Sequence, residues 1–272
     1  MFNLASVLEE AKDKIIAVAW YDFETGADYF LNEDYEFHPA STFKVHVMME
    51  VFRQAQEGLL SLEARLPIIN SFTSIADGSK FSLDSDDDSE KTLYPRTGEN
   101  ETIGELTRLM IVRSSNLATN ILLEKVGTKK VNDFIQALGI QGVTVRRGVE
   151  DNVAFRLGMN NSASARGLTQ TMKLIAEKKV VSEPASEKMI KILLEQEFNE
   201  SIPAFLPKSV RVAHKTGWTG DVYHDTGIVY TEREGRKPYA LSIMTKGFTE
   251  NQEQGAHQCM ATISRMIYEQ IQ

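Results

Sequence analysis

The sequence predicts an α/β fold of two lobes: one largely antiparallel sheet flanked by the N- and C-terminal helices, with an all-helical lobe inserted between its strands. Three observations carry this. Near the start, an amphipathic helix is followed by a beta-rich run, a turn and a return strand. The long middle has helical periodicity with caps and glycine stops, and the last third returns to strand-like runs before a closing helix. The expected organisation is one domain over 1–272. Its α/β lobe is built from about 1–40 and 205–272, and its helical lobe from about 41–204.

Taken in order, residues 3–14 alternate apolar and charged side chains at helical spacing. "IIAVAWYDF" (15–23) is a strand candidate, "ETGA" a turn and "DYFLN" the return strand. Pro39 precedes a helix from about Ser41 to Gln56, stopped at Gly58. Thr102 and Glu105 fit a capping box ahead of "LTRLMIV". A helix from about Asn116 to Lys125 halts at Gly127, and "KKVNDFIQAL" ends at Gly139. Two more helices fall near 164–179 and 184–195. "VRVAHKTG", "TGIVYT" and "YALSIMT" read as three strands, and a last helix covers about 252–270. A cleft between the lobes is the default site.

Composition narrows the function. A net charge of -8 argues against a nucleic-acid partner, which needs clustered Lys and Arg. No apolar run approaches the roughly 20 residues that span a bilayer, and nothing points to an oligomer interface, so a monomer acting on a small molecule is expected. The start "MFNLASVLEEAKDKII" has acids and lysines where an export signal has a basic patch and an apolar stretch. Taken as it stands, that leans to the cytoplasm, or to an extracytoplasmic site if a leader has been trimmed. The single cysteine, Cys259, excludes an internal disulfide and reads as a buried small hydrophobe on a helix. The five histidines form no metal-ligand spacing, so neither a metal nor another cofactor is expected. "DSDDDSE", from Asp84 to Glu90, has alternate carboxylates like a calcium loop but lacks that loop's glycine and terminal glutamate. It reads as a solvated acidic loop.

Three short motifs carry chemistry. Ser41 and Lys44 are three apart, which on a helix places them about 5–6 Å apart at Cβ, so that the amine reaches the hydroxyl. Ser41 lies at a helix start, where free N–H groups favour developing negative charge. A lysine walled by Phe43, Val45 and Met48 has its pKa lowered by desolvation, making a neutral base available. By itself, S-x-x-K also arises by chance. Ser114 and Asn116 stand at a junction between two helices, as a hydroxyl and an amide at a cleft edge or as a plain N-cap. Lys215, Thr216 and Gly217 close a strand. There a cation and a hydroxyl can hold a carboxylate and the glycine admits a substrate; the bland reading is an exposed strand end.

S-x-x-K, then S-x-N, then K-T-G, in that order, resembles the signature of serine beta-lactamases and penicillin-binding proteins, and of class A enzymes in particular. "ASTFK", "EGLLSLEARL", "TIGELTRLMIVRSSNLATNILLEKVG" and "HDTGIVY…PYALSIMTKG" are similar to the corresponding class A regions, so the resemblance covers nearly the whole chain. It implies the beta-lactamase-like fold, and Ser41 as nucleophile with Lys44 as base or proton relay. Ser114 would pass a proton to the leaving nitrogen and Asn116 would hold the substrate amide. Lys215 and Thr216 would bind the carboxylate, beside Gly217. The backbone N–H groups of Ser41 and Trp218 would form an oxyanion hole. The implied substrate is a beta-lactam or an acyl-D-amino-acid amide.

The pattern is broken in several places. Ser115 stands where class A enzymes have aspartate, and Thr226 where they place one arginine that assists carboxylate binding. "RRGVEDNVAFRLGMNNSASARGL" resembles the loop of the deacylating glutamate, with Glu150 in its place. No asparagine stands four residues after Glu150, so Asn160 or Asn161 is the candidate substitute, and Glu150 is equally well read as an ion-pair partner of Arg146 or Arg147. Hydrolytic turnover therefore stays open against covalent trapping by a sensor-like domain, and against D-alanyl-D-alanine peptidase, esterase or glutaminase activity on the same scaffold.

Overall fold

The computed structural model describes residues 2–233 and 235–271. α1 (Ala5–Glu10) is shorter than its periodicity predicts, and β1 (Ile15–Asp22) pairs with β2 (Asp28–Leu31) as the expected hairpin, Val18 opposite Leu31. A 3-10 turn over Ala40–Phe43 then runs into α2 (Lys44–Gln56). Ser41 thus stands on a tight turn ahead of the α-helix rather than within it.

The middle is less uniformly helical than expected. β3 (Arg65–Pro67), β4 (Phe72–Thr73), β5 (Lys80–Phe81) and β6 (Asn100–Thr102) pair as β3 with β6 and β4 with β5. These strands are too short for an alternating pattern to register in sequence. α3 (Ile103–Val112) starts at Thr102, whose hydroxyl accepts from the Glu105 N–H. The reciprocal half of the predicted capping box is not formed: the Thr102 N–H donates instead to Glu101 Oε1 at 2.7 Å, and the Glu105 carboxylate is held by Arg108. α4 (Asn116–Val126) is capped by Ser115 and ends at Gly127, whose φ of 84° releases the chain from the helix. α5 (Thr128–Ala137) follows, and β7 (Val143–Thr144) pairs with β8 (Ser162–Ala163) around α6 (Asn152–Arg156). α7 (Ala165–Ala176) and α8 (Glu183–Leu194) are each capped by a serine, Ser164 and Ser182.

β9 (Arg211–Thr219), β10 (Val222–Tyr230) and β11 (Tyr239–Lys246) complete a five-stranded antiparallel sheet in the order β2-β1-β11-β10-β9, and α9 (Glu253–Gln270) closes the chain. Strand alternation divides the sheet's side chains between two apolar clusters. Ile16, Val18, Trp20, Leu241 and Ile243 pack with Val7 of α1 and with Met260, Ile263 and Ile267 of α9. Ala17, Ala19, Ala213, Ala240 and Met244 face the helical elements, joining Leu168 and Met172 of α7 and the apolar face of α2. The small residues on that face let α7 approach closely, and Thr169 of α7 hydrogen-bonds the Ala19 carbonyl and the Ser242 hydroxyl. The sheet is therefore covered on both faces. β9 is one of its two edge strands, with one side of its backbone free of the sheet.

Candidate active site

Ser41 is preceded by Ala40, which has a φ of 48° although it is not glycine. Such a conformation is costly and persists where surrounding structure imposes it. Here the Ala40 N–H is held by His38 Nδ1 at 3.2 Å. Three residues beyond Ser41, Lys44 begins α2 with no solvent exposure. Its Nζ donates to the Ser114 carbonyl at 2.6 Å, to Ser114 Oγ at 3.3 Å and to Asn116 Oδ1 at 2.8 Å. The expected Lys44–Ser41 hydrogen bond is not among those of the described residues, because three acceptors on one turn take all three ammonium protons. Burial pushes the Lys44 pKa down to about 7, against the opposing pull of the Asp88 and Glu150 charges.

Ser114 is the meeting point. It sits between α3 and α4 with a φ of 57°, and its Oγ also accepts from Lys215 Nζ at 3.1 Å. Lys215 is wholly buried on β9; burial first, then the Lys44 charge, drives its pKa well below the ordinary lysine value. Thr216 Oγ1 is buried with no hydrogen-bond partner among the described residues, an unusual state, and Thr216 is not among the residues that line the cavity. Gly217 brings the β9 edge against the Ser41 turn. A Cβ there would lie 2.6 Å from the Ser41 nitrogen and 2.9 Å from that of Thr42, so only glycine permits this approach. Trp218 follows, 38% exposed, its ring edge-on to Phe198.

Glu150 is half-buried and has a φ of 61°. Its Oε1 accepts from Asn116 Nδ2 at 3.3 Å, and its Oε2 from the Asp84 N–H at 3.4 Å. Burial raises its pKa, with the two hydrogen bonds opposing. The ion-pair alternative is overturned. Arg147 donates to Asn160 Oδ1 and to the Gly148 carbonyl and stacks over Phe155, and no salt bridge joins Glu150 to either arginine among the described residues. Asn160 and Asn161 do not bond Glu150 either. Asn161 accepts from the Arg146 and Arg147 N–H groups and donates to the Arg147 carbonyl, closing the neck of the loop. Thr226 is buried and bonded to Ser242, away from the cavity.

Ser41, Ser114, Asn116, Glu150 and Trp218 line one cavity of about 1010 Å³. Lys44 and Lys215 lie behind its wall, against Ser114. The three motifs thus converge, and a hydroxyl beside two depressed-pKa amines and a free strand edge is suited to acyl transfer.

Two contributors escaped the sequence reading. Asn120, one turn after Asn116 on α4, accepts from the Val149 N–H at 2.7 Å and donates to the Val149 carbonyl at 2.9 Å, fixing the residue before Glu150. Its spacing from Asn116 was the available signal. The acidic loop, expected to be solvated, is so only in part: Asp88 and Glu90 are buried, 2% and 0% exposed. Nothing local to "DSDDDSE" distinguishes them from their exposed neighbours.

Comparison with known proteins agrees with the fold. A model of the beta-lactamase enzyme family matches residues 3–271. The chain is 24% identical to the extended-spectrum beta-lactamase PER-1 of Pseudomonas aeruginosa over 88% of its own length and 77% of the relative's. A beta-lactamase structure from Chitinophaga pinensis superposes with a TM-score of 0.83 at 24% identity, covering 98% of each chain. An acyl-enzyme complex of a PBP-A mutant with penicillin G gives a TM-score of 0.79 at 22% identity, over 98% of this chain and 97% of the other.

Proposed function

The chain belongs to the beta-lactamase enzyme family, and from that premise we propose that it is an active-site serine hydrolase that opens the beta-lactam amide through an acyl-enzyme on Ser41. The observation that carries the proposal is the shared hydrogen bonding of Lys44 and Lys215 to Ser114 Oγ, with Gly217 pressed against the Ser41 turn.

In this reading, unprotonated Lys44 accepts the Ser41 proton as Oγ attacks the carbonyl carbon. The Ser41 and Trp218 N–H groups hold the oxyanion, a contribution typically worth ~3 kcal/mol per donor. As the C–N bond breaks, Ser114 gives its proton to the leaving nitrogen and is resupplied from Lys44. Lys215 and the unpartnered Thr216 hydroxyl bind the substrate carboxylate, and Asn116 the side-chain amide. For release, Glu150 takes a proton from water, whose oxygen attacks the ester carbonyl; as the C–O bond to Ser41 breaks, Lys44 gives Ser41 Oγ a proton and is resupplied with the one held by Glu150.

A second reading, covalent trapping with slow release, is favoured by one observation. No asparagine from the Glu150 loop reaches the Glu150 carboxylate, which is held instead by Asn116 and the Asp84 N–H. A fluorescent penicillin followed over time, alongside nitrocefin hydrolysis, separates the two. Label that appears and decays while nitrocefin is consumed supports turnover, and label that persists supports trapping. A protein that takes no label and consumes no nitrocefin is not a beta-lactam-directed hydrolase.

A further inference from the structure

We propose that the buried carboxylates of Asp88 and Glu90 are positioning residues that grip the Ser114 turn from both sides and hold Ser114 Oγ between the two lysines. Asp88 Oδ2 accepts from the N–H groups of Asn116 and Leu117, at 2.9 and 3.0 Å, and from the Tyr94 hydroxyl at 2.9 Å. Glu90 Oε2 accepts from Arg113 Nη1 at 3.0 Å. Arg113 immediately precedes Ser114 and Asn116 follows it by two. The grip therefore spans the strained residue. The two acids are themselves joined, Asp88 Oδ1 accepting from the Glu90 N–H at 3.0 Å.

Their chemistry fits the task. A carboxylate that accepts several N–H and O–H donors makes shorter, stronger bonds than a neutral acceptor, and the burial of both acid side chains keeps their own oxygens largely from water, although the Arg113 side chain is 41% exposed. A residue at φ 57° without glycine's freedom relaxes unless its neighbours over-determine it. Ser114 Oγ must stay within hydrogen-bond range of Lys44 and Lys215 at once, and small displacements at such a centre are costly. Asp88 also acts through charge, since together with Glu150 it opposes the desolvation that lowers the Lys44 pKa.

The proposal rests on reading Ser114 as the group that passes the proton. Its test pairs a substrate readout with one that needs no substrate. Asp88→Ala removes all the acceptors, and Asp88→Asn, nearly isosteric, keeps part of them should the alanine variant not fold. The acylation rate by fluorescent penicillin, well below each variant's melting temperature, is expected to fall by about tenfold to a hundredfold. Apparent affinity should change far less. The acid limb of the acylation profile should move to lower pH in Asp88→Asn, because the negative charge that supports protonated Lys44 is gone. Amide exchange at Asn116 and Leu117 should quicken in both variants. Variants that melt earlier yet acylate at the wild-type rate with an unmoved pH profile would make Asp88 a stability residue only and overturn the proposal. Unchanged exchange at Asn116 and Leu117 overturns it as well, even if wild type takes no label and the hydrolase reading itself has failed.

Discussion

Lys44 and Lys215, one from the first turn of α2 and the other from the sheet's edge strand, donate to the same oxygen, Ser114 Oγ, at 3.3 and 3.1 Å. Both are wholly buried. Two ammonium groups so placed oppose each other's protonation, and burial opposes both. The site is thereby biased toward one free amine near neutral pH, which is what a serine nucleophile needs.

Acylation should accordingly rise through a pH of about 7 as Lys44 loses its proton. The same shift has a stability consequence with a definite sign. Between about 7 in the folded state and 10.5 for an ordinary lysine, the unfolded chain binds a proton that the folded one does not. Stability due to this residue therefore increases with pH across that window. Melting at pH 6 and pH 9 should show wild type gaining on Lys44→Met, and a gap that does not widen upward means that Lys44 is not depressed.

Gly217→Ala places a methyl group 2.6 Å from the Ser41 nitrogen. The β9 edge must retreat, taking the Trp218 N–H with it. Acylation should fall by about a hundredfold while Lys44 and Lys215 remain in place. A variant that acylates as wild type shows that the strand edge takes no part.

Glu150→Gln should leave acylation within about threefold of wild type and slow loss of the adduct by about a hundredfold or more, the usual range for a general base. Where deacylation is observed, its dependence on Glu150 should place the acid limb above the ordinary carboxylate range, since burial raises this pKa. An unchanged decay in Glu150→Gln makes the residue structural.

Thr216→Val exchanges a buried hydroxyl that has no partner among the described residues for a methyl group. Thermal stability should hold or rise slightly. Apparent affinity for a penicillin should fall by about tenfold, the order of one hydrogen bond to a charged group. The corresponding methyl ester should lose less. Equal losses for acid and ester rule out a carboxylate contact.

Much of this was legible in the chain itself. Ser41, Lys44, Ser114, Asn116, Lys215 and Gly217 announce themselves through local motifs, although β9 runs on to Thr219 and so carries Lys215 and Gly217 within the strand and not at the end expected for them. What stayed hidden depends on distant contacts. Asp88 differs from Asp86 and Asp87 chiefly in meeting the start of α4, about thirty residues on in sequence, and no local composition records that. Lys44 was expected at Ser41 because spacing sees only one element, whereas its partners come from the α3–α4 turn. α7 was not expected against the sheet, because the alanines that admit it lie on strands far away in sequence.

The position of the covalent adduct decides whether Ser41 is the nucleophile. After brief exposure to a penicillin, intact-mass and peptide analysis should find one penicilloyl group, carried by the Ser41 peptide, and none in Ser41→Ala. An adduct on any other side chain, or one retained at full yield in Ser41→Ala, contradicts the convergence of the three motifs on this nucleophile.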